Sequence, residues 1–374
     1  MTDQNTTIDR RLLLQAMGAA TLAAGLPSRL RAQNRSKALV IGAGLSGLGA
    51  ALLLQDAGMD VTVIEGRDRV GGRVLSYRSL PGSPEAGGTS FSPGYARLVD
   101  QARTHGVGIR DLRPVLGFYG AREIFLDGQH VPLADWPSHP RNPFPEAFRE
   151  TPPFRLLGGF VMKNNDIKNA DEWLDPANAG MDVTYHEWLK SKGLSDEVID
   201  VAYNIEPTHG TSSHDVSALM MMFSGAFTAT QIALVQPDQS PVSTAVGGNM
   251  AIPEAMAGAL KNPVQFGRNV IAMRTENDQA EVHCEDGTKY TAEHVICSVP
   301  CSVLRRIRID PLLPTAQARA VGSLDSQIIN QAHFVAKEPY WEEDGLSPNM
   351  FSDGLVCSVV GERKADDPNE VSSV

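Results

Sequence analysis

The chain has 374 residues, 42% apolar and 21% charged, which excludes a disordered protein and leaves room for more than one buried core. Its formal charge of −11 argues against nucleic acid as a partner and mildly favours the approach of cationic small molecules. Length alone suggests two domains.

Residues 1–32 read as a targeting segment rather than as part of the fold. Asp9-Arg10-Arg11-Leu12-Leu13-Leu14 is a twin-arginine pattern, Leu12 to Leu26 is a modest apolar run, and Leu30-Arg31-Ala32 offers a cleavage site. The expectation is a Tat signal peptide, engagement of the Tat translocase and a periplasmic product. Without those residues, which contribute +2, the charge becomes −13.

From Lys37 to Arg73 the chain reads as a dinucleotide-binding unit. Leu39, Val40 and Ile41 make a short buried strand. Gly42-Ala43-Gly44-Leu45-Ser46-Gly47 then turns into a helix whose free N–H groups face a pyrophosphate, the glycines allowing the tight turn, the backbone approach and the close helix packing. The next strand, Val61 to Ile64, ends in Glu65, where an acidic side chain meets ribose hydroxyls. A second glycine pair follows at once in Asp68-Arg69-Val70-Gly71-Gly72-Arg73, beside the same pyrophosphate.

With this second glycine pair the chain resembles the flavin-containing amine oxidase family, which includes monoamine, polyamine and L-amino acid oxidases. The resemblance implies an α/β fold in which a Rossmann-like FAD-binding domain of the GR2 type is interleaved with an α+β substrate-binding domain. It also implies FAD as cofactor, expected to be non-covalent because any cysteine that tethers the flavin would lie in the part of the family beyond the match to Val374. It assigns Gly42, Gly44, Leu45, Ser46 and Gly47 to the diphosphate, Glu65 to the ribose, and Gly71, Gly72 and Arg73 to the phosphate or flavin side, with Gly66 and Arg67 also among the cofactor-binding residues.

Further along, Glu85-Ala86-Gly87-Gly88-Thr89-Ser90 resembles the family's segment beside the flavin ring, so Gly87, Gly88, Thr89 and Ser90 are expected there. Gly117 to Phe154 is rich in Pro and reads as a long loop over the substrate side. Leu156 to Ala229 is mostly helical in pattern, with Ser195 as an N-cap before Asp196 and Glu197. In that stretch Leu219-Met220-Met221-Met222-Phe223 reads as helix core, and His209 and His214, off any helical metal spacing, as loop surface. Gly247 to Pro253 resembles the family's glycine-rich lead into a helix, and Asn262 to Met273 its returning strand, in which Val270 matches the position whose backbone holds the adenine. Ala292 to Ile307 resembles the last Rossmann strand and its crossover.

The expected division is therefore residues 37–90 and 240–305 for FAD, and 91–239 and 306–374 for substrate. Cys284, Cys297, Cys301 and Cys357 show no metal-ligand spacing, and no metal site is expected.

Gln327 to Trp341 reads as a strand of the substrate sheet. By resemblance its start matches a lysine hydrogen-bonded through water to flavin N5, and that position here is Gln331, the one candidate catalytic residue. A neutral Gln does not supply the charge credited with aiding reaction with oxygen, so oxidase and dehydrogenase both stay open. Family members continue beyond the point that matches Val374, so a C-terminal FAD segment with the aromatic pair around the substrate is expected to be missing. The implied reaction is oxidation of a primary or secondary amine to an imine by hydride transfer to flavin N5, with O2, giving H2O2, or another acceptor. Three rivals stand beside it: an L-amino acid oxidase, with Arg113, Arg122, Arg141, Arg149 and Arg155 as undistinguished carboxylate partners; a flavin desaturase or dehydrogenase; and a non-catalytic FAD-binding partner subunit. A homodimer is left open.

Overall fold

The structure is a computed structural model that describes residues 36–114, 121–236, 239–363 and 371–373. The twin-arginine segment and Gly117 to Gly120 of the Pro-rich stretch lie outside the described residues.

The cofactor side is built on β1 (Lys37–Ile41), which enters α1 (Leu45–Asp56) through the first glycine loop and continues into β2 (Asp60–Ile64). Four of the five β1 residues are buried, because both faces of this strand are covered. Ala38 and Val40 pack with Leu48 and Leu52 of α1 on one face, while Leu39 and Ile41 pack with Val270 and Val282 on the other. This period-two division is what a near-continuous apolar run in a central parallel strand implies.

A short antiparallel pair follows, β3 (Leu75–Ser76) and β4 (Glu85–Gly87), then α2 (Ala96–Thr104) and β5 (Ile109–Asp111). The substrate side begins with β6 (Glu123–Leu126) and β7 (Gln129–Val131), joined through Asp127 and Gly128, both at positive φ as the tight hairpin turn requires. Helices α3 (Pro153–Asn164), α4 (Tyr185–Ser191), α5 (Asp196–Ile199) and α6 (Ala218–Ala233) come next, with a π turn at Asp200–Asn204. The chain then returns through β8 (Ser243–Ala245), paired antiparallel to β5, and α7 (Ala251–Gly258).

Strands β9 (Val270–Glu276), β10 (Gln279–Cys284) and β11 (Lys289–Ala292) form a meander, and β12 (His294–Cys297) inserts beside β1 with Leu39 opposite Val295. The parallel sheet runs β12-β1-β2. After β13 (Arg308–Asp310), β14 (Met350–Ser352) and β15 (Ser358–Val359) complete a sheet of order β15-β14-β6-β7 on the substrate side. The two subdomains are thus interleaved in sequence, as expected, each with its own core.

The substrate-side core gathers Trp136, Phe144, Tyr185, Trp188, Leu189 and Met222, among others, from the Pro-rich stretch and the helices. Each such side chain contributes roughly 1.5–3 kcal/mol on burial. Met222 and Leu219 are helix core, as read from sequence, while Met221 also reaches the cavity described below. Ser195 caps α5 as expected, its hydroxyl accepting from Val198 N.

Two expectations fail. The described part of the Pro-rich stretch is not a loose loop: it holds the β6–β7 hairpin and short 3-10 turns, and Trp136 and Phe144, both fully buried, anchor it. Gln327 to Trp341 is not a strand. Apolar residues make a strand only where the backbone finds a ladder partner, and among the described residues this segment pairs with no strand of the β15-β14-β6-β7 sheet. The segment instead lies extended along the cavity, with Gln327 Nε2 donating to Gly210 O at 2.7 Å and Ile328, Ile329 and Phe334 exposed.

Candidate functional site: a dinucleotide cradle opening into a cavity

The cradle is made of two glycine loops pressed together. Gly71 N donates to Ala43 O at 2.8 Å, and Gly44 and Gly72 lie so close that a Cβ on Gly72 would stand 3.4 Å from the Gly44 Cα. Gly42, at φ +103°, turns β1 into α1, and a Cβ on Gly47 would meet the Gly42 carbonyl oxygen at 2.0 Å, so both must be glycine. No side chain caps the N-terminus of α1, whose first turn therefore presents unpaired backbone N–H groups at the mouth of the cradle.

Glu65, buried at the end of β2, ties the cradle together: its carboxylate accepts from Ala43 N and from Arg67 N, both at 2.9 Å. Each carboxylate oxygen keeps acceptor capacity for a further donor such as a ribose hydroxyl. Gly66 packs beside Asn269, while Arg67, Arg73 and Ser46 are exposed around the rim. Val270 is buried in the core beneath, at the start of β9.

Three residues outside the sequence-derived set hold this arrangement. Arg69 spreads its guanidinium over the second glycine loop, donating to Val70 O, Gly72 O and Val74 O at 3.0–3.1 Å. Ser298, just after β12, donates to Ile41 O and backs the first turn, where a Cβ on Gly42 would reach its hydroxyl at 2.6 Å. Asn249 is the third. Its Nδ2 donates to Gly88 O (2.6 Å) and Thr89 O (3.1 Å), and its Oδ1 accepts from Ala245 N and Thr244 Oγ1.

The Asn249 backbone N–H is itself held by Glu85 Oε1 at 2.6 Å, while Glu85 Oε2 accepts from Ser76 Oγ at 2.8 Å. The Gly87–Ser90 segment is thus pinned to the lead into α7. Arg78 strengthens the same junction through Gly247 O and an ion pair with Glu254. Burial pushes the Glu85 carboxyl up to about 7, outweighing the opposing hydrogen bonds from Asn249 and Ser76 and the charge of Arg78. Gly87 approaches the Arg73 carbonyl so closely that a Cβ would stand 2.3 Å from it, which explains the glycine pair at this point.

Glu85, Thr89 and Ser90 then line a cavity of about 1670 Å³ that extends between the subdomains. That exceeds the roughly 300–1,000 Å³ of a small-molecule pocket and gives room for a cofactor ring as well as a substrate. Apolar residues from α3 and α6, including Leu157, Val161 and Met221, form much of its wall. His209 and His333 also face it, and burial lowers the pKa of both imidazoles, favouring their neutral forms. His209 is therefore a wall residue rather than the loop surface read from sequence. His214 does lie on an exposed loop, stacked on His186 at 3.9 Å between ring centroids. Tyr185 brings to the cavity a buried hydroxyl without a hydrogen-bond partner among the described residues, and burial raises its pKa, keeping it a proton donor. Gln331 lines the same cavity from the extended segment, exposed and not from a strand.

A family model described as flavin containing amine oxidoreductase matches residues 45–371. The chain belongs to that family. Among curated relatives it is 26% identical to human amine oxidase [flavin-containing] B, over 86% of this chain and 61% of that protein. It is also 28% identical to polyamine oxidase 4 of Oryza sativa subsp. japonica, over 85% of this chain and 61% of that protein. A solved structure of putrescine oxidase bound to putrescine aligns with a TM-score of 0.69 at 25% identity, covering 90% of this chain and 74% of that one. The chain spans about three-fifths of the length of the first two relatives.

The cofactor of this family is FAD, and the residues present fit it: an uncapped helix N-terminus, two loops from which Cβ atoms are excluded, and a buried carboxylate at the end of β2. Gly42, Gly44, Leu45, Ser46 and Gly47 would hold the diphosphate with Gly71 and Gly72, and Gly87 to Ser90 would flank the ring.

Of the five arginines considered for a carboxylate, Arg113 is paired with Asp111, Arg141 with Asp127 and Asp353, and Arg149 with Glu146, all partly exposed. Arg155 also has an interaction partner. Arg122 lines the cavity but is bound to Glu206. Arg110, on β5, faces the cavity too and was not among the five.

Proposed function

We propose that this protein is an FAD-dependent oxidase of primary or secondary amines, converting the substrate to an imine that water hydrolyses to an aldehyde or ketone and the freed amine. The observation that carries the reading is continuity: the segment pinned by Asn249 and Glu85 runs directly from the diphosphate cradle into a largely apolar cavity. FAD, when bound, supplies the hydride acceptor. The chain's own residues bind and orient. The apolar wall from α3 and α6 excludes water from the reacting face, and burial favours the neutral imidazoles of His209 and His333, so these two side chains add no positive charge beside the amine. An amine has to be unprotonated to lose hydride from the neighbouring carbon, and a desolvated site favours that form.

Membership of a family whose relatives include flavin-containing amine oxidase B, polyamine oxidase 4 and putrescine oxidase supports the substrate class, and the same relatives support O2 as acceptor. The test is to purify the full chain with FAD and mix it anaerobically with a panel of primary and secondary amines. Bleaching of the flavin bands, then peroxide release on admitting air, is expected. A colourless protein that refuses FAD overturns the reading.

Export belongs to the same proposal. It is supported by Arg10 and Arg11 before an apolar run and by the folded, cofactor-bearing cargo that the Tat route carries. Replacing both arginines with lysine is expected to leave precursor in the cytoplasm, and unchanged periplasmic enzyme would refute it.

A further inference from the structure

Among the described residues, the charged groups of the cavity are matched to partners with one exception. Arg122, with a side chain only 3% exposed, directs Nη1 at both Glu206 oxygens, at 3.0 and 2.8 Å, so these two charges cancel within the wall. Glu85 is held by Ser76 and the Asn249 amide.

Arg110 has no such match. Its Nε is buried and lacks a hydrogen-bond partner among the described residues. Its sequence neighbour Asp111 does not answer it, because successive strand residues face opposite ways and Asp111 is engaged by Arg113 and Ser240. Across the ladder stands Thr244, whose hydroxyl is directed to Asn249. One guanidinium nitrogen is thus buried on the cavity wall without an acceptor, and a ligand that brings an anionic oxygen would supply it together with a counter-charge.

We propose that Arg110 selects the substrate by binding an anionic group, a carboxylate above all, at the end of an amine remote from the oxidised carbon. The inference rests on the amine-oxidising function proposed above and narrows it. It separates this chain from a diamine oxidase, because the second ammonium of a diamine would meet an uncompensated like charge, whereas a carboxylate gains a charge-assisted and potentially bidentate pair.

The test uses the full chain holding its FAD, and the variants Arg110→Gln and Arg110→Lys, each first checked for native circular dichroism and melting. Butanoate, which has no amine to oxidise, is titrated by calorimetry. Then kcat/KM is compared for 4-aminobutanoate, butylamine and putrescine, matched in chain length. Expected results are butanoate binding that weakens about tenfold or more in Arg110→Gln and less in Arg110→Lys, and a preference for 4-aminobutanoate over the other two that disappears in Arg110→Gln.

Butanoate affinity that does not respond to Arg110→Gln overturns the proposal, as does loss of FAD from that variant with butanoate binding intact, which would assign Arg110 to the cofactor. Oxidation of all three amines without a preference sinks this inference alone. Failure of every amine to bleach the flavin, with butanoate binding still dependent on Arg110, sinks the oxidase reading and leaves the anion site standing.

Discussion

Replacing Gly47 by alanine tests the cradle at its tightest point. The added Cβ would stand 2.0 Å from the Gly42 carbonyl oxygen and 2.6 Å from Ser298 Oγ, and real contacts of this kind do not fall below 3.0 Å. The carbonyl must therefore retreat by at least 3.0 − 2.0 = 1.0 Å. Neither obstacle yields cheaply: one is backbone at the strand-to-helix turn, and the other is held by its hydrogen bond to Ile41 O. Overpacking of this severity costs about 1–3 kcal/mol, and the upper end applies where backbone has to move.

Because the displaced turn carries the amides that face the diphosphate, FAD affinity is expected to fall by about tenfold or more, together with the melting temperature. Gly49→Ala, two residues further along the same helix, is the control. Its Cβ would meet only Met256 Cε, at 3.9 Å, so it is expected to be neutral or to stabilise by roughly 0.5–1 kcal/mol through helix propensity. Affinity is measured by titrating apoprotein into FAD and following flavin fluorescence, and stability by thermal melting. A Gly47→Ala protein that binds and melts like wild type, or a Gly49→Ala protein equally damaged, would refute the reasoning.

Glu85 carries a pH prediction. Its carboxyl titrates near 7 in the folded chain against 4.5 unfolded, so the folded state holds the proton more tightly, and stability from this group is full at low pH and lost as pH rises through the window from 4.5 to about 7. The unscreened value of about 3 kcal/mol shrinks to about 1–2 kcal/mol because the group is only partly buried. Denaturant unfolding at pH 5 and pH 8 should therefore show Glu85→Gln gaining on wild type as pH rises, and parallel profiles would refute it. Asn249→Ala strands the Gly88 and Thr89 carbonyls and the Ala245 amide, and is expected to cost about 2–4 kcal/mol in unfolding and to weaken FAD retention. Asn249→Asp, which keeps the shape but cannot donate to either carbonyl, should be no better; full stability in Asn249→Asp would show the carbonyl bonds to be unimportant. Gln331→Lys introduces a cation at the cavity wall and is expected to speed reoxidation of the reduced protein by oxygen in stopped flow, with an unchanged rate counting against that role.

The cofactor half was legible because its physics is local. A strand covered on both faces reads as an unbroken apolar run, and glycines forced by backbone contacts cannot drift, so β1, the first loop, α1 and β2 stood out together. The strand β12, exposed or half-buried along its length, was legible through the resemblance of Ala292 to Ile307 to the family's last Rossmann strand. Arg69, Glu85, Asn249 and Arg110 were not singled out, since an arginine bound to carbonyls, or an asparagine linking segments 160 residues apart, leaves no spacing to read. The segment from Gln327 to Trp341 shows the converse: its pattern suits a strand, yet a ladder also needs a partner from elsewhere in the chain, which no local pattern encodes.

The place of β12 beside β1 has a consequence for biogenesis. Strand β2 reaches β1 after a single helix, but β12 arrives only after the whole substrate-side insertion, and Ser298, which backs the first glycine turn, follows it. Until the ribosome has delivered that serine, β1 lies with one edge open and its turn unsupported, and the entropy of closing so long a loop is still to be met. The first glycine turn is thus braced by a residue 257 positions beyond the strand that enters it, so the near and far ends of the described chain must meet before the turn is complete.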